Sequence, residues 1–257
     1  MPLHSPPGAI ADLTSRRARP AQRPKIIVVS HERSGTHFLM NALGRAYGYP
    51  ATQFLNFDNG SLDINYFDPP AVAHSLGSVL NGLLVKSHHP VDFFEGVLDQ
   101  ALRSAVILYI HRDPVDVMIS FWRFIQRWRW HEGPRTGDVL DFARSEPEGR
   151  MLRYQMKQRG SLLDRWAKHV EGWVEAAEGR DRLVVIRYDK LRDRYRDTIS
   201  GLSDLLGQRP GDVLPRNRTT NVIQGVPADR LETPDTDALR QLALAEIGDT
   251  MRRLEYA

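Results

Sequence analysis

The sequence contains no cysteine. That excludes disulfides, thiolate metal sites and a cysteine nucleophile, and it fits a reducing, cytoplasmic setting. Long apolar runs are also missing. None approaches the ~20 residues that a membrane span needs, so no span is expected, and residues 1–24 hold no secretory apolar segment. The body of the chain lacks an excess of either charge. Arg16, Arg17, Arg19 and Arg23 against Asp12 alone give residues 1–24 a charge of +3, the formal net charge of all 257 residues. The remainder is neutral, so the high isoelectric point is no argument for a nucleic-acid partner, and none is expected. Residues 1–24 also hold Pro2, Pro6, Pro7, Pro20 and Pro24 with few large apolar residues, and are expected to form a disordered basic tail. Residues 25–257 are of a length for one α/β domain. They contain no internal repeat and no low-complexity block.

What the chain does have is a strand–loop–helix at Pro24–Gly48. The β-branched run Ile26-Ile27-Val28-Val29 suits a strand covered on both faces of a parallel sheet. Ser30-His31-Glu32-Arg33-Ser34-Gly35-Thr36 follows at once, and Phe38, Leu39, Ala42, Leu43 and Ala46 then recur at helical spacing. Such a loop is an anion cradle, because free backbone N–H groups and the helix dipole both face it. The loop is not a nucleoside-triphosphate P-loop of the G-x-x-x-x-G-K-[ST] type. Ser30 replaces the first glycine, Thr36 the lysine, and His37 the hydroxyl that would hold Mg²⁺.

Further along, Tyr49–Asn81 is irregular, with Phe54, Phe57, Tyr66 and Phe67 interspersed, and its length suits either an acceptor-binding lid or gate or a loop without function. Gly82–Lys86 reads as a second strand and Val91–Leu102 as a helix. Ser104–His111 reads as a third strand. Pro114, at the first turn after Asp113, opens a helix directed towards Trp130. Ser161–Glu178 is amphipathic, with Leu162, Trp166, Val170, Trp173 and Val174 on one stripe. Leu183–Ile186 is the fourth strand. A helix over Asp189–Leu206, with Gly207 as its stop, and a last helix from Thr233-Pro234 complete the pattern. Strands alternating with helices predict an α/β fold: a central parallel sheet flanked by helices, its strand ends gathering a ligand. Four such ends deliver polar groups: Ser30–Thr36, Lys86–His88, Arg112 and Tyr188.

These motifs resemble those of sulfotransferases that use 3′-phosphoadenosine 5′-phosphosulfate (PAPS). Ser30-His31-Glu32-Arg33-Ser34-Gly35-Thr36-His37-Phe38 is similar to the family's 5′-phosphosulfate loop. Lys86-Ser87-His88 resembles its Lys-Thr/Ser-His motif. Arg112-Asp113-Pro114, with Ser120 eight residues after the arginine, resembles its 3′-phosphate motif, and Arg187-Tyr188-Asp189-Lys190-Leu191 its Tyr-Glu-Asp-Leu segment. The resemblance spans Lys25–Gly207, with the motifs in family order.

It implies PAPS as co-substrate, no metal, and a small-molecule or glycan acceptor bearing a hydroxyl. Arg33, Ser34, Gly35, Thr36, His37 and Phe38 would hold the phosphosulfate side, and Arg112 and Ser120 the 3′-phosphate. Phe38 stands where cytosolic members carry an aromatic that packs on adenine, and Tyr188 matches an adenine-side residue. Lys86, helped by Arg33, would stabilise charge on the leaving oxygen. His88 is the expected general base, with His89 as competitor, since an imidazole pKa near 6.5 suits proton removal at neutral pH. Arg33 occupies a position where cytosolic members usually have lysine. Their late Arg-Lys-Gly is matched only by Arg216-Asn217-Arg218, so Arg216 or Arg218 would complete the 3′-phosphate site. Trp122, Trp130 and His131 are either core or acceptor-pocket residues. The rival readings are a P-loop small-molecule kinase and a nucleotide-binding relative without catalysis. The acceptor and the oligomeric state are not legible in the sequence.

Overall fold

The computed structural model describes residues 23–51, 55–56, 74, 76–128, 131–154, 160–212 and 234–257. Residues 1–22 of the expected tail, most of Tyr49–Asn81, Trp130, Arg216 and Arg218 lie outside them. Five strands form one sheet: β1 (Lys25–Val29), β2 (Leu55–Asn56), β3 (Leu84–Ser87), β4 (Ala105–His111) and β5 (Leu183–Arg187). The order is β2-β3-β1-β4-β5 and every pairing is parallel. The chain moves from β1 to one side for β3 and then returns to the other side for β4. That reversal leaves a crevice at the carboxyl end of β1, where open α/β sheets bind ligands.

The apolar run of β1 is buried because both faces are covered, as expected for a parallel strand. Ile27 and Val29, with Ile107 and Tyr109 of β4, face α2 (Leu98–Ser104), α3 (Pro114–Arg127), α4 (Val139–Arg144), α5 (Leu162–Ala177) and α9 (Thr236–Arg253). Ile26 and Val28, with Val106, Leu108 and Ile110, face α1 (Thr36–Tyr47), α6 (Tyr188–Asp193), α7 (Tyr195–Ser200) and α8 (Ser203–Leu206). This is the α/β architecture that the alternating pattern predicts. Among the described residues no helix is long and apolar enough to cross a membrane.

Helix ends follow local chemistry. Asp113 caps α3 by accepting from Val115 N at 2.8 Å, with Pro114 at the first turn. Ser161 caps α5 through Asp164 N at 3.1 Å. Gly207 ends α8 in the left-handed region, as its position predicts.

Several expected elements differ. Val91–Leu102 is not one helix. A 3-10 turn over Val91–Phe94 is separated from α2 by Gly96, whose φ of 76° cannot continue a helix. The Asp189–Leu206 helix is three short ones, since Arg194 adopts φ −121°, ψ 49° between α6 and α7. Helix α3 stops at Arg127, because Trp128 turns extended, and α9 starts at Thr236 under an Asp235 cap. Trp122 packs in the core at 2% exposure, while His131 is exposed beside Glu148.

Candidate active site

The loop after β1 places its residues by two left-handed backbone positions, Arg33 at φ 66° and Gly35 at φ 103°. Successive conformations of this kind turn backbone N–H groups to one side, an anion-binding concavity. Gly35 is also required by packing: a Cβ there would sit 2.4 Å from the Tyr188 ring. Helix α1 has no side-chain cap and no acidic residue in its first turn, so its end is left for an anion. The Ser34 hydroxyl is buried in this loop without a hydrogen-bond partner, which suits a ligand that accepts from it. Ser30 Oγ and Thr36 Oγ1 are 2.6 Å apart and close the base of the loop.

Beneath the loop lies a polar layer that sequence reasoning missed. Arg165 of α5 grips Glu32 through two bonds of 2.8 and 2.9 Å, and donates to His31 Nε2 at 2.7 Å. All three side chains are buried. His31 Nδ1 donates to the Glu32 carbonyl at 3.0 Å, so the ring is neutral. One turn on, His169 Nε2 donates to the His88 carbonyl at 3.2 Å, while its Nδ1 accepts from the Tyr109 hydroxyl at 3.0 Å. Another turn on, Trp173 Nε1 donates to the His89 carbonyl at 3.1 Å. Arg165, His169 and Trp173 stand four apart on one face of α5. The available signal was two polar residues, Arg165 and His169, beside the apolar stripe of a helix expected to pack on a sheet.

His88 follows β3 directly. Its Nδ1 lies 2.9 Å from the Ser30 carbonyl, which can only accept, so Nδ1 carries the proton and Nε2 keeps its lone pair. Burial first, then the positive charge of Lys86, hold the His88 pKa well below its usual value. Lys86 sits inside β3, paired in register with Val28, rather than after it. Its charge also helps burial push His37 down to about 4. His89 is enclosed instead: it stacks on Phe93 at 3.8 Å, lies 3.0 Å from Ser87 Oγ, and burial pushes it to about 3.

At the end of β4 a second basic region opens. Arg112 pairs with Asp116 at 2.8 Å and lies over the Tyr188 ring at 4.7 Å. Arg33 Nε donates to Ser120 at 3.1 Å and its guanidinium covers Phe124 at 5.0 Å. Arg33, Arg112 and Ser120 thus border one cavity of about 550 Å³, which Arg123 and Arg127 also line. Phe38 meets Tyr188 edge-on at 5.5 Å, next to the loop. So the structure gathers Arg33, Ser34, Gly35, Thr36, His37, Phe38, Lys86, His88, Arg112, Ser120 and Tyr188 at one sheet edge. Arg216 and Arg218 lie outside the described residues.

A parallel sheet with a loop–helix anion cradle after its central strand defines a P-loop-like α/β protein. Within that class the family is specific: residues 23–224 match the sulfotransferase domain, and the chain belongs to the sulfotransferase family. Mouse sulfotransferase 1A1 is 21% identical over 196 residues, covering 71% of this chain and 60% of that protein. Mouse sulfotransferase 2A2 is 24% identical over 129 residues, covering 50% of this chain and 40% of the relative. The chain therefore spans 60% or less of the length of these relatives. Among solved structures, a mouse sulfotransferase in complex with PAP is similar at a TM-score of 0.54 and 18% identity, covering 91% of this chain and 86% of that one. The sulfotransferase domain from the curacin biosynthetic pathway is similar at 0.52 and 16%, covering 91% and 98%. These likenesses establish the fold.

Proposed function

We propose that this chain moves a sulfuryl group from PAPS to an acceptor hydroxyl by in-line displacement, with His88 as general base. The observation that carries the reading is the pair of separate anion sites on one sheet edge. One is the Ser30–Thr36 loop with the unpartnered Ser34 hydroxyl; the other is Arg112 with Ser120 at the end of β4. PAPS carries anionic groups at two ends of one nucleoside and matches that spacing of chemistry; the PAP bound to the similar mouse sulfotransferase accords with it.

When bound, PAPS supplies the sulfuryl group: the acceptor oxygen bonds to sulfur as the sulfur–bridging-oxygen bond breaks, its electron pair staying on the 5′-phosphate. His88 Nε2 takes the acceptor proton. The Ser30 carbonyl keeps the ring in the tautomer that can accept it, and Lys86 offers positive charge to the oxygen that leaves. The phosphosulfate loop and the 3′-phosphate groups orient the donor.

Titration calorimetry with adenosine 3′,5′-bisphosphate and with ATP tests this. The bisphosphate is expected to bind more tightly, and Arg112→Ala to weaken it roughly 10- to 100-fold, the worth of a charged hydrogen bond, while sparing adenosine 5′-monophosphate. Equal binding of ATP and bisphosphate, or equal losses for both adenosine ligands, overturns the reading.

A further inference from the structure

The cavity beside Arg112 is longer than one phosphate needs. It is a trough along one face of α3, where Asp116, Ser120, Arg123 and Arg127 follow each other at spacings of three and four. At 1.5 Å per residue, Asp116 to Arg127 covers about 16 Å. A phosphate held between Arg112 and Ser120 occupies one end. Arg127 lies seven residues, about 10 Å along the axis, beyond Ser120.

The charges are unbalanced in the same direction. Among the described residues Asp116 is the only carboxylate on the wall, and it is engaged by Arg112. Among the described residues, no carboxylate pairs with Arg33, Arg123 or Arg127, and Arg127 Nε is buried without a hydrogen-bond partner. A cation in the last turn of a helix is favoured by the dipole. That accounts for an arginine at position 127 but not for its buried, unmatched Nε, nor for Arg123 one turn earlier. Phe124, stacked on Trp128 at 5.0 Å, gives this end an apolar wall. Arg33 stands between the two ends, on Ser120 and Phe124 together, and its charge reaches His37 as that of Lys86 does.

We propose that the Arg123–Arg127 end of the trough binds an acidic group of the acceptor, which is then a hydroxyl compound that also carries a carboxylate, a phosphate ester or a sulfate ester. This rests on the sulfotransferase reading above.

The test uses the full chain saturated with adenosine 3′,5′-bisphosphate. Glucuronate, glucose 6-phosphate and glucose 6-sulfate are titrated against glucose, so the three acidic groups are compared on one neutral frame. At least one acidic sugar is expected to bind tenfold or more tightly than glucose. Arg127→Ala and Arg123→Ala each remove most of that difference, Arg127→Lys restores part of it, and bisphosphate affinity stays within about threefold of wild type. Which acidic sugar responds identifies the source of the charge. Equal binding of all four sugars overturns the proposal. So does an Arg127→Ala variant that loses bisphosphate as severely as Arg112→Ala, because the whole trough then serves the cofactor. A wild-type chain that does not bind bisphosphate but still selects an acidic sugar through Arg127 overturns the sulfotransferase reading and leaves the anion site standing.

Discussion

The two halves of the site are built to different standards of fixity. Around His88 the polar groups are buried and tied into one network from Tyr109 through His169 to the His88 carbonyl, and from His88 to Ser30. Along α3 the arginines are exposed or half-buried, and Arg112 has only a partly exposed aspartate. The difference fits the task proposed for each half. A base works only in one tautomer, at one distance from the proton it takes, so its ring has to be held. An anion clamp gains from long side chains that can adjust to the ligand's oxygens and exchange a weak surface partner for a strong one.

The sharpest way to break the comparison is at the base. His88→Ala is expected to lower the transfer rate by roughly 10²–10⁴-fold and to leave bisphosphate binding unchanged, measured by turnover and calorimetry side by side. If turnover survives, the proton goes elsewhere, and His89 is the first candidate despite its enclosure by Phe93 and Ser87. Next comes the buffer behind the loop. Arg165→Ala leaves the Glu32 carboxylate buried without its two bonds, and a stability loss of about 3–5 kcal/mol is expected in urea unfolding. A loss below ~1 kcal/mol would mean that the fork is not what fixes the loop.

Acid should act chiefly through the buried histidines. His31, His88 and His169 are held well below the usual histidine range, burial being the main cause in each. Burial likewise takes His89 to about 3 and His111 to about 4. Each regains a pKa near 6.5 on unfolding. Between pH 6.5 and about 4 the unfolded chain binds more protons than the folded one, so stability falls as pH drops through that window. Once the unfolded form is fully protonated, each such histidine contributes about 1.4 kcal/mol per pH unit. Urea midpoints are expected to fall from pH 7.5 to 6 and to fall more steeply per pH unit from 6 to 5. Midpoints that stay level to pH 4.5 would show that these rings are not buried in the neutral form.

How much of this was legible in the sequence depends on how local each signal is. Strands β1 and β4 are continuous apolar runs, which only a sheet covered on both faces accommodates, so they and the loop between β1 and α1 were readable. The motif residues sit within a few positions of a strand end, and the topology then brings those ends together. The Glu32–Arg165 fork joins residues 133 apart, and nothing local announces it. Periodicity also failed where a single residue breaks a helix. Leu191, Tyr195, Ile199, Leu202 and Leu206 keep a helical rhythm across the non-helical Arg194, because each short helix faces the same core. Gly96 was a visible warning inside the expected Val91–Leu102 helix. Trp122 fell outside the Val117, Phe121, Ile125 and Trp128 stripe, so the sequence left it between core and acceptor pocket; its ring is core.

The smallest expected effect sharpens the comparison from the loose side. Asp116, in the first turn of α3, reaches Arg112 just ahead of the helix at 2.8 Å, with the aspartate side chain 49% exposed. Exposed pairs at this spacing contribute about 0.3–0.5 kcal/mol, so Asp116→Asn is expected to change urea stability by no more than ~0.5 kcal/mol, a small fraction of the loss from Arg165→Ala. It also removes the one negative charge that the described residues place on the trough wall and releases Arg112. Bisphosphate affinity should therefore hold or rise by a few-fold at low salt, and the rise should shrink as salt screens the trough. Weaker bisphosphate binding in this variant would mean that Asp116 orients Arg112 for the phosphate. The clamp would then be pre-set like the base, and the contrast between the two halves would disappear.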